Sequence, residues 1–173
     1  MQISYTVAPG RGDTDRLLYQ IAQSLMSEGL RPAGIVQINT ERPDNGLCDM
    51  DVKVLPEGPV IRISQTLGRG ARGCRLDPDA LETSVAAVDA TLSEGADCLI
   101  VNKFGKHEAD GRGFRPLIAE ALTRDLPVLV GLNRLNEPAF STFTDGMAIE
   151  LPPEREALVA WLRNAVKAGQ PTV

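Results

Sequence analysis

The residues with the clearest chemical potential are Val7-Ala8-Pro9-Gly10-Arg11-Gly12-Asp13-Thr14, a glycine-rich turn between an apolar run and an amphipathic segment. Their frame is that of G-x-x-x-x-G-K-[ST], in which backbone N–H groups and a helix start cradle phosphate oxygens while a lysine neutralises their charge. Gly12 and Thr14 are in register, but Val7 stands at the first glycine position and Asp13 at the lysine position. An acid where a cation belongs is not how an ATPase or GTPase is built, because the leaving phosphates need positive charge beside them. Two readings stand at this point. The turn is an oxyanion or nucleotide cradle that has lost or rerouted its hydrolytic chemistry, or it is a plain turn of an α/β fold that binds nothing.

A second cluster is Asn102-Lys103-Phe104-Gly105-Lys106-His107-Glu108-Ala109-Asp110-Gly111-Arg112-Gly113-Phe114-Arg115. Lys103, Lys106 and Arg112 offer cations. Glu108 and Asp110 are either a carboxylate pair for acid–base work or ion-pair partners of Arg112 and Arg115. His107 is the chain's one histidine; beside Lys106 and Glu108 it can titrate or bind a metal, though a histidine in such a loop is more often a polar surface residue. A third stretch, Gly68 to Arg75, places three arginines ahead of Asp77-Pro78, an N-cap with proline at the first helical position. It is an anion site or a solvated loop. Cys48, Cys74 and Cys98 are widely spaced and odd in number, which fits reduced thiols and no metal site. Cys98 lies in an apolar strand and reads as core; Cys74, between arginines, is the thiol to test for reactivity.

These residues sit between elements that periodicity marks. Leu18, Ile21, Ala22, Leu25 and Met26 form one helical face after the strand Ile3 to Val7, and Gly29 ends that helix. Residues 33–38 read as a buried strand, and Val52, Val54, Ile61 and Ile63 as a hairpin around Pro56 to Pro59. Leu81, Val85, Val88 and Leu92 line a helix ended by Gly95, and Cys98 to Val101 is a central strand. A helix bearing Phe114, Leu117, Ile118, Ala121 and Leu122 follows, then strands at 128–130 and 147–151 and a last helix burying Leu158, Trp161, Leu162 and Ala165. Strands alternating with helices imply a single α/β domain over residues 1–173. Its expected form is three αβα layers with a mostly parallel sheet of about five strands and an inserted β-hairpin. Ligands bind at the carboxyl ends of such strands, so the loops at 8–16 and 102–115 are expected to share one crevice.

The chain has 173 residues, 43% hydrophobic and 24% charged, the balance of a globular domain. A net charge of -5 and only 4% aromatic residues argue against nucleic acid as a partner. The start, Met1 to Tyr5, lacks the pattern of a secretory leader, and no segment reaches membrane-spanning length. A cytoplasmic protein without membrane insertion is expected, and a homo-oligomer is compatible with the sequence.

Ser64 to Gly68, Cys74 to Asp77, Leu99 to Lys106 with Glu108, Gly111-Arg112-Gly113 and Pro127 to Leu129 resemble an uncharacterised bacterial family. That family is often encoded beside molybdate-transport genes and is sometimes labelled an NTPase. The resemblance covers nearly the whole chain, with 99–113 its most specific part, and implies a degenerate P-loop NTPase-like domain. More distantly, the chain is similar to the small cancer-related nucleoside-triphosphatases, through the turn at 7–14, Thr40-Glu41-Arg42, and the segment where that family carries D-E-x-G-K-M-E. Gly105, Lys106 and Glu108 match that last motif, while Asn102 replaces the metal-supporting aspartate and Lys103 the catalytic-type glutamate. The resemblance implies a small anionic ligand, a nucleotide or a molybdate-like oxyanion, held by Pro9, Gly10, Arg11, Gly12, Asp13, Thr14, Asn102, Lys106 and Arg112 without efficient hydrolysis. Molybdate-transport components are the implied partners. Lys103 either pairs with Asp13 across the crevice or supplies the positive charge the turn lacks. Two alternatives remain: a slow magnesium-dependent nucleoside-triphosphatase with Glu108 as base or water-orienting group and Thr14 near the metal, Glu108 and Lys103 being the catalytic candidates, or a non-catalytic partner-binding protein whose crevice an Asp13–Lys103 pair fills and whose hairpin at 51–63 carries an interface.

Overall fold

A computed structural model describes residues 2–40, 49–65 and 75–169. The chain runs β1 (Ile3–Thr6), α1 (Asp13–Ser27), β2 (Pro32–Thr40), β3 (Asp49–Leu55), β4 (Val60–Arg62), α2 (Pro78–Ser93), β5 (Cys98–Phe104), α3 (Lys106–Ala109) and α4 (Arg115–Thr123). It continues through β6 (Val128–Leu132), a 3-10 turn (Arg134–Asn136), α5 (Glu137–Phe143), β7 (Ile149–Leu151) and α6 (Arg155–Gly169). Among the described residues the strands form one sheet of seven, in the order β4-β3-β2-β5-β6-β1-β7. The five strands β2, β5, β6, β1 and β7 are parallel, as expected; the hairpin β3–β4 joins the β2 edge antiparallel and raises the strand count.

Side-chain alternation divides the core into two layers. Leu99 and Val101 of β5, with Val128 and Val130 of β6, face α2, α4 and α5 through Val88, Ile118 and Phe140. Cys98, Ile100 and Leu129 face α1 and α6 through Leu18, Ile21, Leu25, Leu158 and Leu162. Burial pushes the Cys98 thiol up to about 12, as suits a core cysteine. Trp161 is only half-buried, flanking that layer, because the turn of α6 aims Leu158 and Leu162 inward instead. The start of α2 is as its sequence dictates: Asp77 accepts from the backbone N–H of Asp79 and Ala80, with Pro78 at the first helical position. The 3-10 turn and α5 were not expected. No helix among the described residues is long and apolar enough to cross a membrane.

Among the described residues one buried side-chain polar atom has no hydrogen-bond partner: the Ser4 hydroxyl of β1. Burying an unsatisfied hydroxyl costs about 1–3 kcal/mol. Ser4→Ala is therefore expected to stabilise the fold by about 1 kcal/mol, read as a higher urea midpoint with unchanged slope; a lower midpoint would refute it.

Candidate functional site

The turn after β1 is closed by its own backbone. Gly10 carbonyl oxygen accepts from the Asp13 N–H at 3.3 Å, and Thr14 Oγ1 accepts from the Ala8 N–H at 3.2 Å. Gly12 takes φ 78° at the N-cap of α1, a conformation open to glycine, and no side chain caps the helix start. The uncapped first turn therefore presents the positive end of a helix. It opens on a cleft of about 550 Å³ lined by Val7 to Gly12, Thr14 and Asp15, by Asn102 and Lys103, and by Gly131 to Arg134. Of the two loops expected to share a crevice, 8–16 lines it, but 102–115 contributes only Asn102 and Lys103 at the end of β5. Because β6 lies between β1 and β5 in the sheet, its own end supplies a third wall, Gly131 to Arg134, that sequence reasoning missed.

The floor is a hydrogen-bonded knot around Asp15, which is 7% exposed. Its Oδ1 accepts from Asn102 Nδ2 at 2.8 Å, and its Oδ2 from Asn39 Nδ2 at 2.7 Å and Gln37 Nε2 at 3.3 Å. Asn102 Oδ1 in turn accepts from the Gln37 N–H at 2.9 Å, which fixes which end of the amide faces Asp15. A divalent cation beside the turn needs oxygen ligands and an acid at the neighbouring strand end. Asn102 instead turns an N–H donor there, and the nearby carboxylate is met by three amide donors. This donor set does not fit magnesium. Among the described residues no group of three His, Cys, Asp or Glu side chains is arranged to hold a metal.

The cations sit on the rim. Arg11 and Lys103 are exposed and have no ion-pair partner among the described residues. Arg134 is held by Glu150 at 2.8 Å and Glu137 at 3.0 Å. These bonds raise its pKa further, Glu150 contributing most, so it stays charged. Tyr5 donates to the same carboxylates; burial first, then the charges of Glu137 and Glu150, push its hydroxyl up to about 12.

Asp13 is not in the cleft. Its carboxylate folds back over Gly10, where an added Cβ would lie 2.0 Å from Asp13 Oδ2, and its ion partner is Arg16 at 3.8 Å. No Asp13–Lys103 ion pair fills the crevice: Asp13 pairs with Arg16, and the cleft lined by Lys103 is open. Lys106, Glu108 and Arg112 lie outside the cleft lining. Glu108 is buried and accepts from the N–H groups of Gly105 at 2.9 Å and Phe114 at 3.3 Å, tying α3 to the start of α4. Arg112 lies 4.0 Å from Asp110. His107, expected at the surface, is buried and bonded through Nε2 to Glu82 at 2.9 Å. Burial works to raise the Glu82 pKa, but the bonds from His107 and the Gly113 N–H outweigh it and hold the group low. Cys48, Cys74, Glu41, Arg42 and the loop at 66–74 lie outside the described residues.

Three comparisons bear on this arrangement. The model of the family described as "Protein of unknown function (DUF2478)" matches residues 3–161. The chain is 37% identical over 152 residues to the molybdenum import ATP-binding protein ModC 2 of Bradyrhizobium diazoefficiens, a match spanning 88% of this chain and 17% of that protein. The solution structure of a human cancer-related nucleoside triphosphatase superposes with a TM-score of 0.58 at 18% identity, covering 98% of each chain. That likeness shows the fold alone, an α/β sheet with helices on both faces.

Proposed function

We propose that the chain, which belongs to the DUF2478 family, binds a small anionic ligand in this cleft without efficient hydrolysis, as a cytoplasmic partner in molybdenum import. The ligand is a nucleotide or an oxyanion. The observation that carries the reading is the contrast between wall and floor: an uncapped helix start on a cleft that exposed Lys103 and Arg11 also line, above a floor where Asn102 presents an amide N–H in place of a metal-binding acid. The first supplies attraction for negative oxygens. The second removes the cation that triphosphate cleavage requires. Lys103, at the end of β5, takes over the charge that the turn lost at Asp13. The import setting rests on the relative's printed name alone.

Isothermal titration of the purified chain with ATP, GTP, inorganic phosphate and molybdate, each with magnesium and with EDTA, tests the reading. Binding of at least one anion is expected, with the same affinity in both buffers and no phosphate release. Lys103→Glu is expected to weaken that binding by roughly 10-fold or more, since it reverses a rim charge. Silence toward every anion, or magnesium-dependent turnover, would remove the proposal.

A further inference from the structure

We infer that Asp15 sets which anion the cleft accepts, favouring an oxyanion that carries its own proton over one that is fully ionised; this rests on the anion-binding reading above. A carboxylate offers about four acceptor positions. Asp15 uses three, one on Oδ1 for Asn102 and two on Oδ2 for Asn39 and Gln37, so Oδ1 keeps one. Asp15 lines the cleft, is nearly closed to bulk water, and has no cation within ion-pair distance among the described residues. Its neighbours are neutral amides that hold it in place without cancelling its charge. An anion drawn in by Arg11, Lys103 and the start of α1 therefore meets a fixed negative floor.

That floor treats tetrahedral anions differently. Sulfate and molybdate carry no proton at neutral pH, so each can only repel the carboxylate. Inorganic phosphate always carries at least one, and a phosphate monoester does so below its second pKa of about 6. A P–O–H group can donate to the free position on Oδ1, which turns repulsion into a charge-assisted hydrogen bond. The ligand class is thus a protonated phosphate, held through its ionised oxygens by the rim and through its hydroxyl by the floor.

Competition titrations on the unmodified chain at neutral pH and fixed ionic strength, with inorganic phosphate, sulfate, molybdate and, as the nucleotides, ATP and GTP, test this directly. Phosphate is expected to bind roughly 10- to 100-fold tighter than sulfate or molybdate, the range of one charge-assisted hydrogen bond. Sulfate or molybdate binding as tightly as phosphate overturns the inference and leaves anion binding intact. No binding by any of the anions, nucleotides included, removes the underlying reading and the inference with it. Asp15→Asn, checked for native circular dichroism, is expected to bring the three affinities within roughly 3-fold, as loss of one such bond implies; a folded variant that keeps the phosphate preference also overturns it.

Discussion

Asn102→Asp is expected to lower stability at neutral pH by roughly 3–5 kcal/mol, the cost of placing an unpaired charge in a buried site. Asn102 is 2% exposed, and its Nδ2 is 2.8 Å from Asp15 Oδ1. The substitution keeps the oxygen that accepts from the Gln37 N–H but replaces the donor with a second oxygen facing a carboxylate. A hydrogen bond is lost and two acids share one dry space, so the new carboxyl is driven to keep its proton. Its folded-state pKa therefore lies above the unfolded value of about 3.9. The penalty is small below that value and grows as pH rises through the folded-state pKa. Urea unfolding of variant and parent at acid and at neutral pH reads this out. Magnesium or manganese should restore part of the variant's stability at neutral pH and leave the parent unchanged, since two carboxylates beside Thr14 form oxygen ligands the parent lacks. A variant as stable as the parent at neutral pH would mean that the Asn102 amide donor to Asp15 is not what holds the floor together.

The residues of this floor show why the site was harder to read than the fold. Helix α1, the strands at 98 and 128, and the Asp77 cap of α2 follow from periodicity and local chemistry, which a sequence displays within a few residues. The 3-10 turn and α5 do not. Their anchor is Phe140, packed edge-on against Tyr5 at 5.5 Å and Phe104 at 5.1 Å, contacts that only the folded sheet creates. The motif frame pointed to Asp13 as the acid inside the cradle. Two residues along a helix lie on nearly opposite sides, so Asp13 turns out over Gly10 while Asp15 turns in to the floor. Asp15 meets Asn102 across 87 positions of sequence, and no local pattern joins them. Likewise the matches at Lys106 and Glu108 belong to a short helix whose carboxylate serves the backbone at its own start and at the start of α4, outside the cleft lining.

Gly131→Ala is the second large expected effect, and it tests whether fold and site depend on one contact. Gly131 lies on β6 between the strand that delivers the turn and the strand that delivers Asn102. A Cβ there would lie 2.1 Å from the Asn102 carbonyl oxygen and 2.9 Å from both Leu18 Cδ1 and Thr14 Cγ2. The side chains can yield by rotation, but the carbonyl belongs to a central strand and can move only if β5 and β6 separate. Overpacking typically costs 1–3 kcal/mol, and a backbone collision in a fully buried strand belongs at or above the top of that range, about 4 kcal/mol. Relief of the clash would lift Thr14 and the start of α1 away from Asn102, and with them the Asp15 bond that closes the floor. Anion binding should therefore fall further than the folded fraction does. Urea unfolding and titration calorimetry on the same preparation separate the two effects. Full binding by the folded fraction would show that the cleft does not need this close approach of helix and sheet, and that the walls are held by other contacts.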